Sequence, residues 1–165
     1  MDISRPRGEI AESLLKAATE QGFLFIDGHD FRQEEVDRLY DVSREFFSTV
    51  PADEKAKYTI GSNNIGYTNF CNENLDPRKT RDYKEGYNFG NIDFEDGCFN
   101  RSDAKHAKLT DVNDESENAA PPFFKEREDI IKSAIKKLHA NARKILEALA
   151  MSLGIEDVNF FVDRF

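Results

Sequence analysis

The chain has 165 residues, 39% hydrophobic and 33% charged, with fourteen Phe, no Trp and a formal net charge of −9. That length suits one domain with a sizeable core, and the composition excludes a chain disordered throughout. The acidic balance, with Lys and Arg interleaved among acids, excludes the clustered basic surface that nucleic acid or an anionic membrane would need. No apolar run approaches the roughly 20 residues of a membrane span. The polar stretch Met1 to Gly8 lacks the apolar region of a signal peptide, so the chain reads as cytoplasmic. Cys71 and Cys98 lack CxxC spacing and read as reduced thiols.

Ile10, Leu14, Ala17 and Ala18 recur at helical spacing after Pro6, and Gly22 supplies a left-handed stop, which predicts a helix over about 6–21. The apolar run Phe23-Leu24-Phe25-Ile26, closed by Asp27-Gly28, predicts a buried strand over about 23–26. A second helix is expected over about 32–50, where Val36, Leu39, Tyr40, Ser43, Phe46, Phe47 and Val50 make one stripe. Pro51 then opens a short helix over about 51–58, with acids in its first turn.

Beyond Thr59 the periodicity breaks, and glycines at 61, 66, 86, 90 and 97 punctuate loops and short strands. Partial alternation predicts a strand over about 83–89 that presents Tyr83, Glu85, Tyr87 and Phe89 on one face. The acidic stretch Asp111 to Asn118, almost without apolar residues, predicts an exposed loop over about 110–120. Pro121-Pro122 precedes the longest expected helix, about 123–153, with a stripe through Ile131, Ala134, Leu138, Ala142, Ile145, Leu149 and Leu153 and a stop at Gly154. At about 1.5 Å per residue it would run roughly 45 Å, long enough to lie along a body larger than these residues. The closing Val158 to Phe165 is apolar and abrupt, as in an interrupted chain.

Five words in this order carry a resemblance: Gly22-Phe23-Leu24-Phe25-Ile26-Asp27-Gly28-His29; Ser43-Arg44-Glu45-Phe46-Phe47 with Pro51-Ala52-Asp53-Glu54-Lys55; Gly66-Tyr67; Asp82-Tyr83-Lys84-Glu85-Gly86-Tyr87-Asn88-Phe89-Gly90; and Leu146 to Gly154 in the long helix. From about Asp2 to Phe165 the sequence resembles the N-terminal region of the isopenicillin N synthase-like group of iron(II)/2-oxoglutarate-dependent oxygenases. The resemblance implies an α+β fold. A helical layer would carry short strands of a double-stranded β-helix (jelly roll), with the barrel largely missing and residues 1–165 forming a single partial domain.

In that family the following barrel holds iron through a His-x-Asp pair and a distant His, leaving positions open for 2-oxoglutarate and oxygen. An Arg-x-Ser further on holds the cosubstrate's far carboxylate. Here His29, His106 and His139 are followed by Asp30-Phe31, Ala107-Lys108 and Ala140-Asn141, so the pattern is missing. The resemblance therefore implies an N-terminal fragment of an oxygenase that acts on a small organic substrate in full-length form. The fragment itself would have no catalytic, cofactor-binding or metal residues and would be inactive alone, iron(II) and 2-oxoglutarate belonging to the full-length relative. The family's opening apolar strand is reduced to Met1-Asp2-Ile3-Ser4. Asn64 stands where the β-lactam-forming branch has an Arg two residues before the Gly-Tyr word, which leaves the substrate class open.

The individual residues admit two readings. His29 is a metal ligand or a structural histidine, and the scattered spacing favours the second, as it does for His106 and His139. Asp82, Lys84 and Glu85 orient a substrate or pair across a sheet. Tyr67 and Tyr87 belong to a substrate pocket or to the core. Phe46, Phe47, Phe123 and Phe124 suit helices packing on a sheet, and without a barrel such faces lose their partner, so the isolated chain is expected to self-associate. The alternative to an oxygenase fragment is a non-catalytic binding or scaffolding module derived from the same family.

Overall fold

The computed structural model describes residues 1–61, 64–70, 76, 78, 80–90 and 120–164. Cys71, Cys98, His106 and, apart from Ala120, the loop expected over about 110–120 lie outside the described residues. In chain order the elements are α1 (Arg7–Glu20), α2 (Gln33–Thr49), α3 (Ala52–Ala56), β1 (Gly66–Thr68), β2 (Gly86–Asn88), α4 (Pro122–Lys125), α5 (Glu128–Ser152) and a 3-10 turn at Val162–Arg164. The fold is thus α+β with a two-stranded sheet. The chain divides into two compact units, Met1–Val36 with Ser133–Phe165, and Asp37–Lys132. No helix of the described residues is long and apolar enough to cross a membrane.

In the first unit, Pro6 sits in an extended conformation ahead of α1, and Glu9 places a negative charge in the helix's first turn, where the exposed backbone N–H groups favour it. Ile10, Ala11 and Leu14 form the buried stripe and pack with Ile3 and Ala148. The helix ends as Gly22, at φ 77°, turns its N–H back to the carbonyl of Ala17 at 3.0 Å.

The segment after Gly22 corrects one expectation. Residues 23–26 are extended, yet they form no continuous strand and are not buried. Among the described residues the segment pairs through a parallel bridge between Asp2 and Asp27, with bonds from Ile3 N–H to Asp27 and from Asp27 N–H to Met1, both 2.8 Å, and from the Met1 amine to the Phe25 carbonyl at 2.7 Å. Successive side chains of an extended segment point to opposite faces. Leu24 packs on the core, whereas Phe23 and Phe25 share the other face and are 64% and 84% exposed. A continuous apolar run is buried only when both faces are covered, and here one is.

The turn that follows is held by polar groups of α5. Asn141 donates to the His29 carbonyl at 2.9 Å, and Lys137 donates to the Asp30 carbonyl at 2.8 Å and to the Glu35 carboxylate at 2.5 Å. Glu35 also accepts the Arg32 N–H at 2.9 Å, which satisfies a free donor at the start of α2. The Lys137 bond, followed by the Arg32 N–H, pulls the Glu35 carboxyl down to about 2.

In the second unit, Pro51 precedes α3, whose first turn carries Asp53 and Glu54. The expected strand over about 83–89 is confined to Gly86–Asn88. It pairs antiparallel with Gly66–Thr68, a partner that the sequence showed only as a Gly-Tyr word, in the register Gly66↔Asn88, Tyr67↔Tyr87 and Thr68↔Gly86. On its other side Tyr67 exchanges bonds with the chain leaving α3, its N–H to Tyr58 at 2.7 Å and its carbonyl from Ile60 at 2.9 Å. Gly66 has φ 125°, and a Cβ there would stand 2.6 Å from the Tyr58 oxygen and 2.9 Å from Ile60 Cα. Both obstacles are backbone and cannot rotate aside.

The single long helix expected over about 123–153 is two. Arg127 donates its Nη1 to the Phe123 carbonyl at 3.0 Å, while its own N–H turns to Phe124 at 3.1 Å, the tighter three-residue closure. The acceptor that would continue the helical ladder is therefore taken by a side chain. The guanidinium lies 3.9 Å from the Phe123 ring centre and pairs with Glu45 at 2.9 Å. At about 1.5 Å per residue, α5 alone spans roughly 37 Å.

Two outcomes follow from these contacts. Because the folded Glu35 carboxyl lies below its ordinary value of 4.5, its contribution to stability is complete above that value and is lost as pH falls through about 2. Melting temperatures measured from pH 7 to pH 2 should show Lys137→Met below the parent at neutrality, with the gap narrowing in acid; a constant gap would exclude the Glu35 pair as its cause. Gly66→Ala should cost on the order of 2 kcal/mol or more in urea unfolding, from backbone strain and the clash together. An unchanged midpoint would contradict that.

Candidate functional site

The polar centre of the second unit is an ammonium group taken out of water. Lys55, near the end of α3, has a side chain only 6% exposed. Its Nζ donates to Glu85 Oε2 at 2.8 Å and to the Phe47 carbonyl at 3.3 Å, and lies 5.4 Å from the ring centre of Tyr67 and 5.7 Å from that of Phe47. The Tyr67 hydroxyl donates to the same Glu85 oxygen at 2.5 Å. Burial acts to raise the Glu85 carboxyl, but the Lys55 and Tyr67 hydrogen bonds outweigh it and hold the group below its ordinary value. The Tyr67 hydroxyl is pushed up to about 12, first by burial and then by its bond to Glu85.

Around this centre the aromatic residues form one cluster on Phe46, which is fully buried on α2. Its ring centre is 4.3 Å from Phe124, 5.0 Å from Phe47, 5.5 Å from Phe123, 5.8 Å from Tyr87 and 6.4 Å from Tyr67. Burial pushes the Tyr87 hydroxyl up to about 12. Beside the cluster lies a half-open cavity of about 300 Å³, bounded by Val42, Phe47, Tyr87, Phe89, Phe124 and Ile131. Glu85 and the exposed Ser43 add its charged and hydroxyl groups.

The residues singled out from sequence divide as follows. Tyr87 lines the cavity, whereas Tyr67 does not and is 2% exposed with its hydroxyl committed to Glu85. Of the charged group at 82–85, Glu85 turns inward and Lys84 is exposed. Tyr83 does not join the face of Glu85, Tyr87 and Phe89: it is 73% exposed and packs on Phe70 at 5.7 Å. His29 accepts the Phe31 N–H on Nδ1 at 3.2 Å. His139 is half-buried on α5, and burial, then the nearby Arg143, lowers its pKa.

Lys55 was missed. Its signal was present, since Ala52, Lys55 and Tyr58 follow one another at three-residue intervals and so share a helix face. A charged residue on that face asks for a partner.

A family model described as non-haem dioxygenase in morphine synthesis N-terminal matches residues 1–114. The chain belongs to this non-haem dioxygenase N-terminal family. The 1-aminocyclopropane-1-carboxylate oxidases of Dictyostelium mucoroides and Dictyostelium discoideum are each 26% identical to it over 164 residues, which covers 94% of this chain and 40% of theirs. Among solved structures, a 2OG-Fe(II) oxygenase family protein from Caulobacter crescentus superposes with a TM-score of 0.73 at 21% identity, over 98% of this chain and 50% of that one. A full-length Neurospora crassa protein, solved in complex with alpha-KG, superposes with a TM-score of 0.68 at 17% identity, over 98% and 48%. The non-haem dioxygenase N-terminal region described here thus spans 40% of the curated relatives and about half of the structures it matches.

Iron(II) held in the manner of a facial triad needs two imidazoles and a carboxylate converging on one point. Among the described residues no three His, Cys, Asp or Glu side chains do so, and His29 already uses Nδ1. The described residues of this N-terminal region do not fit the metal.

The Lys55–Glu85 pair gives a sharp test. Glu85→Gln leaves a buried ammonium facing a neutral amide and should cost about 3 kcal/mol in urea unfolding. Lys55→Met combined with Glu85→Gln should recover part of that loss; a double variant that sums the two single losses would show that the groups are not coupled.

Proposed function

We propose that this chain is the N-terminal, helix-bearing part of an iron(II)- and 2-oxoglutarate-dependent oxygenase. The double-stranded β-helix and the metal ligands would belong to the half of the fold that its relatives have and these residues do not include. The observation that carries the reading is the superposition of 98% of this chain on about half of two such structures. In its complete form the protein would be an oxidoreductase acting on a small organic substrate, and this chain alone would be inactive.

Calorimetric titration of the isolated chain with iron(II) and 2-oxoglutarate under anaerobic conditions should give no stoichiometric binding. One iron bound per chain would overturn the assignment of the metal to the other half. In the gene, sequence in frame beyond Phe165 should encode His-x-Asp, a later His and Arg-x-Ser. A stop codon directly after Phe165, with protein expressed from that gene, would instead favour a binding or scaffolding module.

On this reading, Phe23 and Phe25 are surface that the other half of the fold would cover, and contiguous exposed apolar surface drives association. Sedimentation velocity on the isolated chain should show concentration-dependent self-association that Phe23→Ser with Phe25→Ser reduces. A monomeric parent at high concentration would contradict the proposal.

A further inference from the structure

The cavity beside the aromatic cluster is about 300 Å³, at the lower end of the volumes that hold small organic molecules. Its polar groups come from Glu85, Ser43 and Tyr87, while the apolar side chains of Val42, Phe124 and Ile131, all buried, offer water no hydrogen-bond partner on their side of the cavity. A dry apolar cavity of about 150 Å³ accommodates one benzene ring, so about twice that volume matches a fused two-ring body. The walls favour such a body. Tyr87 and Phe89 line the cavity and stand 4.7 Å and 4.8 Å from Phe124, with ring planes inclined at 57° and 69°, so the three rings meet at an angle and are not stacked flat on one another.

One lining group sets the polarity. Glu85 Oε2 already accepts from Lys55 and Tyr67, whereas Oε1 accepts no hydrogen bond among the described residues. A carboxylate has about four acceptor positions, so capacity remains on Oε1. Glu85 lines the cavity and its side chain is 25% exposed. An incoming O–H or N–H would find an acceptor there, and an incoming carboxylate would find like charge. Two of the three Lys55 N–H donors go to Oε2 and to the Phe47 carbonyl.

We infer that this cavity binds a small aromatic molecule carrying a hydrogen-bond donor, its ring system against Phe47, Tyr87, Phe89 and Phe124 and its donor on Glu85 Oε1. The site is built wholly within Asp37–Lys132 and does not depend on the oxygenase reading.

The test uses the full 165-residue chain with 2-naphthol and 2-naphthoate, two ligands of one shape that differ in donor and charge. The chain has no Trp, so naphthol fluorescence reports binding without overlap, and calorimetry gives the stoichiometry. Saturable binding of one 2-naphthol per chain is expected, at least tenfold tighter than 2-naphthoate. Ser43→Phe, at an exposed position lining the cavity, should weaken 2-naphthol at least tenfold with an unchanged melting temperature. Glu85→Gln, assayed where circular dichroism shows it folded, should bring the naphthol-to-naphthoate ratio toward one. Non-saturable uptake, no binding by folded chain, equal affinity for the two ligands, or a Ser43→Phe variant that binds as the parent does would each overturn the inference.

Discussion

An ammonium group leaves water only when other groups replace its hydration, and in this chain that requirement ties together four separate segments. Lys55 of α3 reaches the carbonyl of Phe47 in α2 and the carboxylate of Glu85 beside β2, and Glu85 in turn takes the hydroxyl of Tyr67 in β1. The separations are eight residues for Lys55 and Phe47, eighteen for Tyr67 and Glu85 and thirty for Lys55 and Glu85. The value of such a pair lies less in net stability than in what it forbids, because breaking it strands a charge. Slipping the β1–β2 register by one residue would turn Tyr67 to the opposite face and break its bond to Glu85. The observed register, with Tyr67 opposite Tyr87, sets both rings against Phe46.

The first unit solves a different problem with similar means. Its irregular turn after Asp27 has carbonyls that no regular element satisfies, and Asn141 and Lys137 supply donors from α5. The pair Arg7 and Glu147, at 2.9 Å, adds a link between α1 and α5 beside the apolar contact of Ile10, Leu14 and Ala148. Polar residues on a long helix usually read as its solvated side. Here several of them hold a turn more than a hundred residues earlier in the chain, which no helical periodicity could reveal.

That contrast explains what was legible beforehand. The helices were visible because their signals are local: Pro6 and Pro51 at starts, Gly22 at a stop, and the stripes through Leu14 and Phe46. The break at Arg127 was not, because it depends on a guanidinium turning back onto the Phe123 carbonyl, and Arg is otherwise a good helix former. Phe23 to Ile26 misled because an apolar run states that burial is favourable and does not say whether a second surface exists to provide it. For the site, Tyr87 was nominated with Tyr67, but spacing could not tell that one lines a cavity and the other is locked by Glu85. Lys55 escaped notice since short helices rich in Asp, Glu and Lys normally face solvent.

Glu85 carries the greatest conflict of demands in the second unit. One oxygen completes the shell around Lys55 and fixes the strand pair, and the residue also lines a cavity whose remaining walls are largely aromatic and aliphatic. A substitution there would alter the charge of the cavity and the stability of the sheet at once, so the two properties cannot be adjusted independently at this residue. Leu39 and Ser43 are freer. They line the cavity from α2, Ser43 is exposed, Leu39 is half-buried, and the Lys55 bonds pass through neither. Variation in what the cavity accepts is therefore expected along the α2 side, with the carboxylate held constant by the lysine it must neutralise.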